Sequence, residues 1–155
     1  MKNKTTNEIT LTFPALSVNE GMARAFAGAF LSQLNPTIEE LADVKCAVSE
    51  AVTNCIVHAY KNSFGDVHMT MKIYADRLFK IEVRDKGVGI ADVGQAMEPM
   101  FTTDAGDERS GMGFTIMESF MDTITVKSSP GKGTKVVMTK RLAPVRRTRD
   151  IPIHN

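Results

Sequence analysis

The sequence has only two cysteines in 155 residues, Cys46 and Cys55, too few for the disulfide framework of a small secreted domain. They lie nine apart in one apolar periodic segment and read as reduced thiols on the buried side of a helix. Long apolar runs are missing as well. No stretch approaches the ~20 residues that a membrane-spanning helix needs, and no amino-terminal signal pattern is visible. The expected setting is the cytoplasm, without membrane association. An excess of charge of one sign is also lacking. With 19 basic and 18 acidic side chains the formal charge is +1, so no global field draws the chain to nucleic acid and any partner has to be recognised locally. Internal repeats and low-complexity segments are absent too.

What is present fits one domain: 43% of the residues are hydrophobic, enough for a core at this length. The charge is uneven along the chain. Five basic residues (Lys140, Arg141, Arg146, Arg147, Arg149) and one acid, Asp150, lie from residue 140 onward, leaving 14 basic against 17 acidic residues, a body of −3. Pro144 and Pro152 interrupt regular pairing there. Residues 1–141 are therefore read as the single domain and 142–155 as a basic, flexible tail.

Ile9, Leu11 and Phe13 alternate with Thr10 and Thr12, the two-residue period of a half-buried strand over Glu8–Phe13. Met22, Phe26, Ala29, Phe30 and Leu34 recur at helical spacing after Asn19, a plausible cap, and Arg24 falls off that stripe. Thr37 and Glu40 have capping-box spacing and open a second helix running to about Tyr60. His68–Ala75 and Leu78–Arg84 read as a hairpin. The Gly-, Asp- and Thr-rich stretch from Asp85 to Ser110 is longer than an ordinary connection. Helical spacing returns over Gly111–Met121, and Thr123–Lys127 and Thr134–Lys140 form a last strand pair. This order predicts an α/β protein, a two-layer α+β sandwich with a mixed, mainly antiparallel sheet and helices on one face.

Four clusters carry candidate chemistry. Glu50, Asn54 and His58, spaced i, i+4, i+8, share a helix stripe. A carboxylate and an amide oxygen there can hold Mg²⁺, or a water on it, and accept a hydroxyl proton; a solvated helix face has the same spacing. Asp85, Gly87 and Gly89 follow a strand, where Asp can accept from a base amino group and glycine permits close approach. A plain loop would look alike, and the cluster lacks the Lys-Ser/Thr ending of a P-loop and the third glycine of a dinucleotide fingerprint. Arg109, Ser110, Gly111, Met112 and Gly113 open a helix, and free amides at a helix start attract phosphate. The fourth, Gly131, Lys132, Gly133 and Thr134, is accounted for by a hairpin turn unless the fold brings Thr134 beside Asp85.

Taken in order, Glu50-x-x-x-Asn54, Asp85-x-Gly87-x-Gly89, Gly111-x-Gly113 and Gly131-x-Gly133-Thr134 resemble the four boxes of the Bergerat-type ATP-binding fold shared by histidine kinases, type II topoisomerases and a heat-shock chaperone. The finer resemblance is to the anti-sigma F factors of sporulating bacteria. It rests on Ser49-Glu50-Ala51-Val52-Thr53-Asn54, Phe101-Thr102-Thr103 and Glu108-Arg109-Ser110-Gly111-Met112-Gly113-Phe114-Thr115-Ile116-Met117-Glu118, and covers about residues 8–141.

That resemblance implies a protein serine kinase that binds ATP or ADP with Mg²⁺. Asn54 would ligate the metal, and Glu50 would act as general base toward a serine hydroxyl. Asp85 would read the adenine amino group, with Gly87 and Gly89 beside it and Thr134 in support. Residues 100–110, including Thr102 and Thr103, would cover the phosphates. Ser110, Gly111, Met112 and Gly113 would line them, and Arg109 would reach the γ-phosphate. The implied partners are a sigma factor, with Arg24 as a contact, an anti-anti-sigma protein as phosphorylation substrate, and a second copy in a homodimer. No role is implied for His58. Three other readings stay open: a nucleotide-gated sigma-binding module without transferase activity, a histidine-kinase-type ATPase domain, and a purely structural protein. The last leaves the glycine boxes unexplained.

Overall fold

The computed structural model describes residues 3–99 and 112–145. Five strands, β1 (Thr5–Pro14), β2 (Asp66–Tyr74), β3 (Leu78–Asp85), β4 (Thr123–Ser128) and β5 (Thr134–Arg141), form one sheet in the order β1-β2-β3-β5-β4. The helices are α1 (Ser17–Leu31), α2 (Ile38–Asn54), α3 (Val93–Ala96) and α4 (Gly113–Phe120). Every ladder is antiparallel, so the mixed sheet expected from the sequence has no parallel pair among the described residues. The chain leaves β3, passes through α4 to the edge strand β4, and turns back so that β5 fills the place between them.

Strand alternation decides which face is dry. Val67, Met69, Met71 and Ile73 of β2, Phe79, Ile81 and Val83 of β3, and Val136 and Met138 of β5 are buried. Their neighbours Thr70, Lys72, Lys80, Glu82 and Lys135 lie on the opposite, open face. Each buried side chain of this size contributes roughly 1.5–3 kcal/mol relative to exposure. The helices close over the dry side, where Phe30 of α1 meets Phe79 with ring centroids 6.4 Å apart. Only Phe13 of β1 is fully buried; Leu11 is half-buried and Ile9 is exposed, because an edge strand runs past the end of the helical layer.

Helix α2 forms for the reasons its sequence shows. Glu40 N donates to Thr37 Oγ1 (3.0 Å) and Thr37 N to Glu40 Oε2 (2.9 Å), completing the capping box. Val44, Val48, Ala51 and Cys55 fall inward. The helix departs from expectation at its end: Cys55–Ala59 is a π turn, and its looser winding carries His58 out of line with Glu50 and Asn54. The cysteines also separate. Cys55 is buried and Cys46 exposed, since nine residues of α-helix amount to two and a half turns and set them on opposite sides.

Helix α1 buries a face that only partly overlaps the one predicted, since Phe30 is buried and Leu34, just beyond the helix, packs on the core. Ala23, Ala27, Phe30 and Leu31 point inward, whereas Met22, Phe26 and Ala29 are exposed. Small residues let α1 lie close to α2, with Gly28 against Leu41 and Lys45, and size complementarity overrides the hydrophobicity of the larger stripe. Asn19 is not the cap. The cap position is Leu16, and Asn19 Nδ2 donates to Pro14 O at 2.9 Å, fixing the β1–α1 turn instead. The domain also runs past residue 141. Leu142 is 3% exposed, and Ala143 N donates to Glu40 Oε1 at 2.8 Å, so this end of the expected tail belongs to the packed body.

Candidate functional site

The strongest local chemistry sits where the carboxyl ends of α2 and β3 meet the start of α4. Asp85 is the one buried charged residue of the described core, 5% exposed. Its Oδ1 accepts from Gly87 N (2.9 Å) and Thr134 N (3.2 Å), and Cys55 Sγ lies 3.5 Å from its Oδ2. Burial is the main reason its carboxyl is raised above the ordinary value, with the two amides pulling the other way. Burial, and after it the same carboxylate, push the Cys55 thiol well up. Oδ2 is left with only a weak thiol donor, so it is suited to a stronger N–H donor from a ligand.

Two glycine turns hold this carboxylate. Thr134 is the register partner of Asp85 across β3 and β5, which brings the fourth cluster to the second. Val88 O accepts from Gly131 N (2.7 Å) and Gly87 O from Gly133 N (3.0 Å). Gly89 and Gly133 both have φ of +74°, and a Cβ on Gly133 would lie 2.1 Å from Asp85 O. These glycines are therefore required by protein–protein contact, whatever access they also give a ligand. Thr134 supports Asp85 through its backbone; its hydroxyl pairs with Ser128 Oγ at 2.8 Å.

Several members of this network were not legible in the sequence. Ser128 Oγ also accepts from Ile90 N (2.7 Å) and donates to Gly133 O (2.8 Å), joining the two turns. Tyr60 OH accepts from Lys86 N (2.7 Å) and donates to Asp66 O (2.8 Å). Ala59 O, at the end of the helix, accepts from Val88 N at 3.0 Å. Only tertiary pairing creates these contacts, so no spacing rule announces them. The short helix α3 did leave a signal, in the Asp92–Gln95 cap (3.0 Å).

The other half of the site is built on Glu50 and Asn54. A Cβ at Gly113 would stand 3.2 Å from Glu50 Oε2 and 3.3 Å from Asn54 Oδ1. Both oxygens thus converge on the first turn of α4, whose leading amides have no intrahelical acceptor. Met112 is its cap residue. Consecutive residues join the halves: Asn54 faces α4 while Cys55 touches Asp85. Among the described residues no group of three or more His, Cys, Asp or Glu forms a metal cluster. Mg²⁺ needs none, since it binds through one or two protein oxygens plus substrate phosphates, and the Asn54 and Glu50 oxygens fit that pattern.

Arg24 is exposed on α1, 3.5 Å from Glu20 Oε1, and Ser49 Oγ bonds the same carboxylate. Thr102, Thr103, Arg109, Ser110 and Gly111 lie outside the described residues, as do 146–155 of the expected tail. No helix of the described residues is long and apolar enough to cross a membrane.

The fold and these boxes define a histidine kinase-like ATPase domain, and the model of that family matches residues 13–140. The chain is 53% identical to the anti-sigma F factor of a Thermoanaerobacter species over 135 residues, covering 87% of this chain and 94% of that one. It is 53% identical to the one from Clostridium acetobutylicum, covering 88% and 95%, and 50% identical to the one from Bacillus licheniformis, covering 88% and 94%. The chain belongs to the anti-sigma F factor family. Solved structures agree on the fold. A Mycobacterium tuberculosis chain with RsbU and RsbW domains superimposes with a TM-score of 0.65 at 20% identity over 88% of this chain and 32% of that chain. The catalytic domain of the histidine kinase ThkA gives 0.54 at 15% identity over 86% and 96%.

Proposed function

We infer that this protein binds MgATP between α2, α4 and the two glycine turns and transfers the γ-phosphoryl group to a serine of an anti-anti-sigma protein. The observation that carries the reading is the convergence of Glu50 and Asn54 on the start of α4 at the same end of the domain as the buried Asp85. Asp85 Oδ2 would accept from the adenine amino group, and Asn54 Oδ1 would hold Mg²⁺. The metal supplies charge neutralisation on the phosphates when bound. Glu50 would take the hydroxyl proton as the serine oxygen bonds to phosphorus and the bond to the β-phosphate oxygen breaks, leaving ADP. Met112 and Gly113, with Ser110 and Gly111 before them, would line the phosphates under Thr102 and Thr103, and Arg109 would pair with the γ-phosphate.

The same protein would sequester a sigma factor, with the bound nucleotide selecting between partners. In support, α1 exposes Val18, Met22 and Phe26 at i, i+4, i+8, a stripe of the kind that partner proteins cover, and presents Arg24 on another side of the same helix. From Arg24, the Glu20 and Ser49 contacts lead to the neighbour of Glu50, so a ligand on α1 has a physical route to the site. The reading includes a homodimer acting in the cytoplasm.

The test is transfer of label from γ-labelled ATP with Mg²⁺ to a candidate anti-anti-sigma protein. Wild type should label a serine, Asn54→Ala should not, and Glu50→Gln should bind ATP with nearly unchanged affinity while losing transfer. ATP binding without labelling would leave a nucleotide-gated binding module in place of a kinase.

A further inference from the structure

The open face of the sheet carries a row of cations with no structural counterpart. Across three strands the register sets Arg84 of β3 opposite Lys135 of β5, and Lys135 opposite Lys127 of β4. Directly opposed like charges destabilise a sheet by roughly 0.2–1 kcal/mol a pair. No ion pair among the described residues involves Arg84, Lys127 or Lys135. By contrast, Lys72 on the same face has Glu8 at 3.4 Å.

The row is also concave. Arg84, Lys127 and Lys135, with Lys86 and Lys132 from the two glycine turns, line a hollow of about 480 Å³ floored by Ser128, Ser129 and Thr134. Asp85 is the single acid in its wall, and its carboxylate is engaged on the dry side. The hollow therefore adjoins the proposed nucleotide site and has Asp85 and Thr134 in common with it.

We propose that this hollow docks an acidic segment of a protein partner, one presenting three or more carboxylates within the roughly 10 Å spanned by three adjacent strands. Charge complementarity names the occupant: among the described residues none of the five cations has an acid partner, in a protein whose body up to residue 139 is net −3. A polypeptide is favoured over nucleic acid because no aromatic side chain lines the hollow for base stacking and the patch stops after three strands, too short to track a phosphate backbone.

The experiment measures binding of a fluorescein-labelled decapeptide of alternating Glu and Ser to the full chain by anisotropy. Lys135→Glu is compared with Lys80→Glu, which makes the same charge change on the same face, on β3 four residues from Arg84 and outside the hollow. Wild type should bind in a salt-sensitive manner, Lys135→Glu should weaken binding by about tenfold, as reversing one desolvated contact charge does, and Lys80→Glu should weaken it less than about twofold. Lys135→Glu should keep or raise Tm, because it relieves the repulsion from both neighbours. If it fails to fold, Lys135→Gln supplies the same comparison. Equal losses in the two variants would overturn the proposal, leaving only net charge. Tighter binding of a single-stranded oligonucleotide of equal charge, also lost in Lys135→Glu, would reassign the hollow to nucleic acid. A wild-type dimer that Lys135→Glu splits in sedimentation would reassign it to a second copy of this chain.

Discussion

Replacing Asp85 by Asn separates what this residue does for the fold from what it does for a ligand. An amide oxygen can keep both bonds that Oδ1 accepts, from Gly87 N and Thr134 N. The new NH₂ then occupies the Oδ2 position beside Cys55 sulfur, itself a weak acceptor. The buried charge disappears with no amide orphaned, so stability at neutral pH should change by less than about 1 kcal/mol. The ligand side differs. A carboxylate accepting from an amino group becomes a donor facing a donor, and loss of a charged hydrogen bond costs about 1.5–3 kcal/mol, roughly 10- to 150-fold in Kd. Calorimetric titration should show that loss for ATP and a smaller loss, or a gain, for GTP, whose base offers an oxygen at the same edge. The pH profile adds a second readout. Because the Asp85 pKa is raised in the fold, its linkage term favours the native state most below the unfolded value near 4 and fades as pH rises through the folded value. The stability difference, wild type minus Asp85→Asn, should therefore fall from acid toward neutral pH. Unchanged ATP affinity and base selectivity in a folded variant would refute the assignment of Asp85 to the base.

Gly113→Ala should lower nucleotide affinity and transfer without destabilising the domain. A methyl group there crowds Glu50 Oε2 and Asn54 Oδ1 at 3.2 and 3.3 Å, while alanine in the first turn of a helix recovers up to about 1 kcal/mol over glycine; titration and thermal melting together check it. Tyr60→Phe should cost about 1–3 kcal/mol in urea unfolding, because Lys86 N and Asp66 O lose their shared partner; an unchanged midpoint would mean that water replaces the hydroxyl.

How much of this was readable beforehand varies with the reach of each interaction. The capping box of α2 is local, and its spacing announced it. The inward faces of β2 and β3 follow from alternation with a buried layer on one side. The face of α1 was legible only in part: Phe30 of the apolar stripe is buried, but Met22 and Phe26 are exposed while Ala23, Ala27 and Leu31 face the core, and only the proximity of α2 decides between them. Cys46 was misplaced for a simpler reason, since nine residues on a helix put it opposite Cys55. In the site, Asp85, the glycines, Glu50 and Asn54 could be picked out by residue type and order, whereas Ser128, Tyr60 and the Ala59 carbonyl could not. Their roles arise from the pairing of β3 with β5 and from the π turn.

The π turn is what makes one helix end serve two tasks. Ala59 is the last residue of the π turn, so its carbonyl has no amide of a further helical turn to accept from, and Val88 N takes it. A Cβ on Gly87 would lie 2.2 Å from that carbonyl, so the turn after β3 can be drawn against the helix end only with glycine at that position. Asn54, the last α-helical residue, keeps its register toward α4, and Cys55, the first π residue, is packed on Asp85. The change of winding thus falls between the side chain that faces α4 and the one that contacts the buried carboxylate. The two halves of the candidate site are therefore joined by the backbone between Asn54 and Cys55 rather than by a shared side chain.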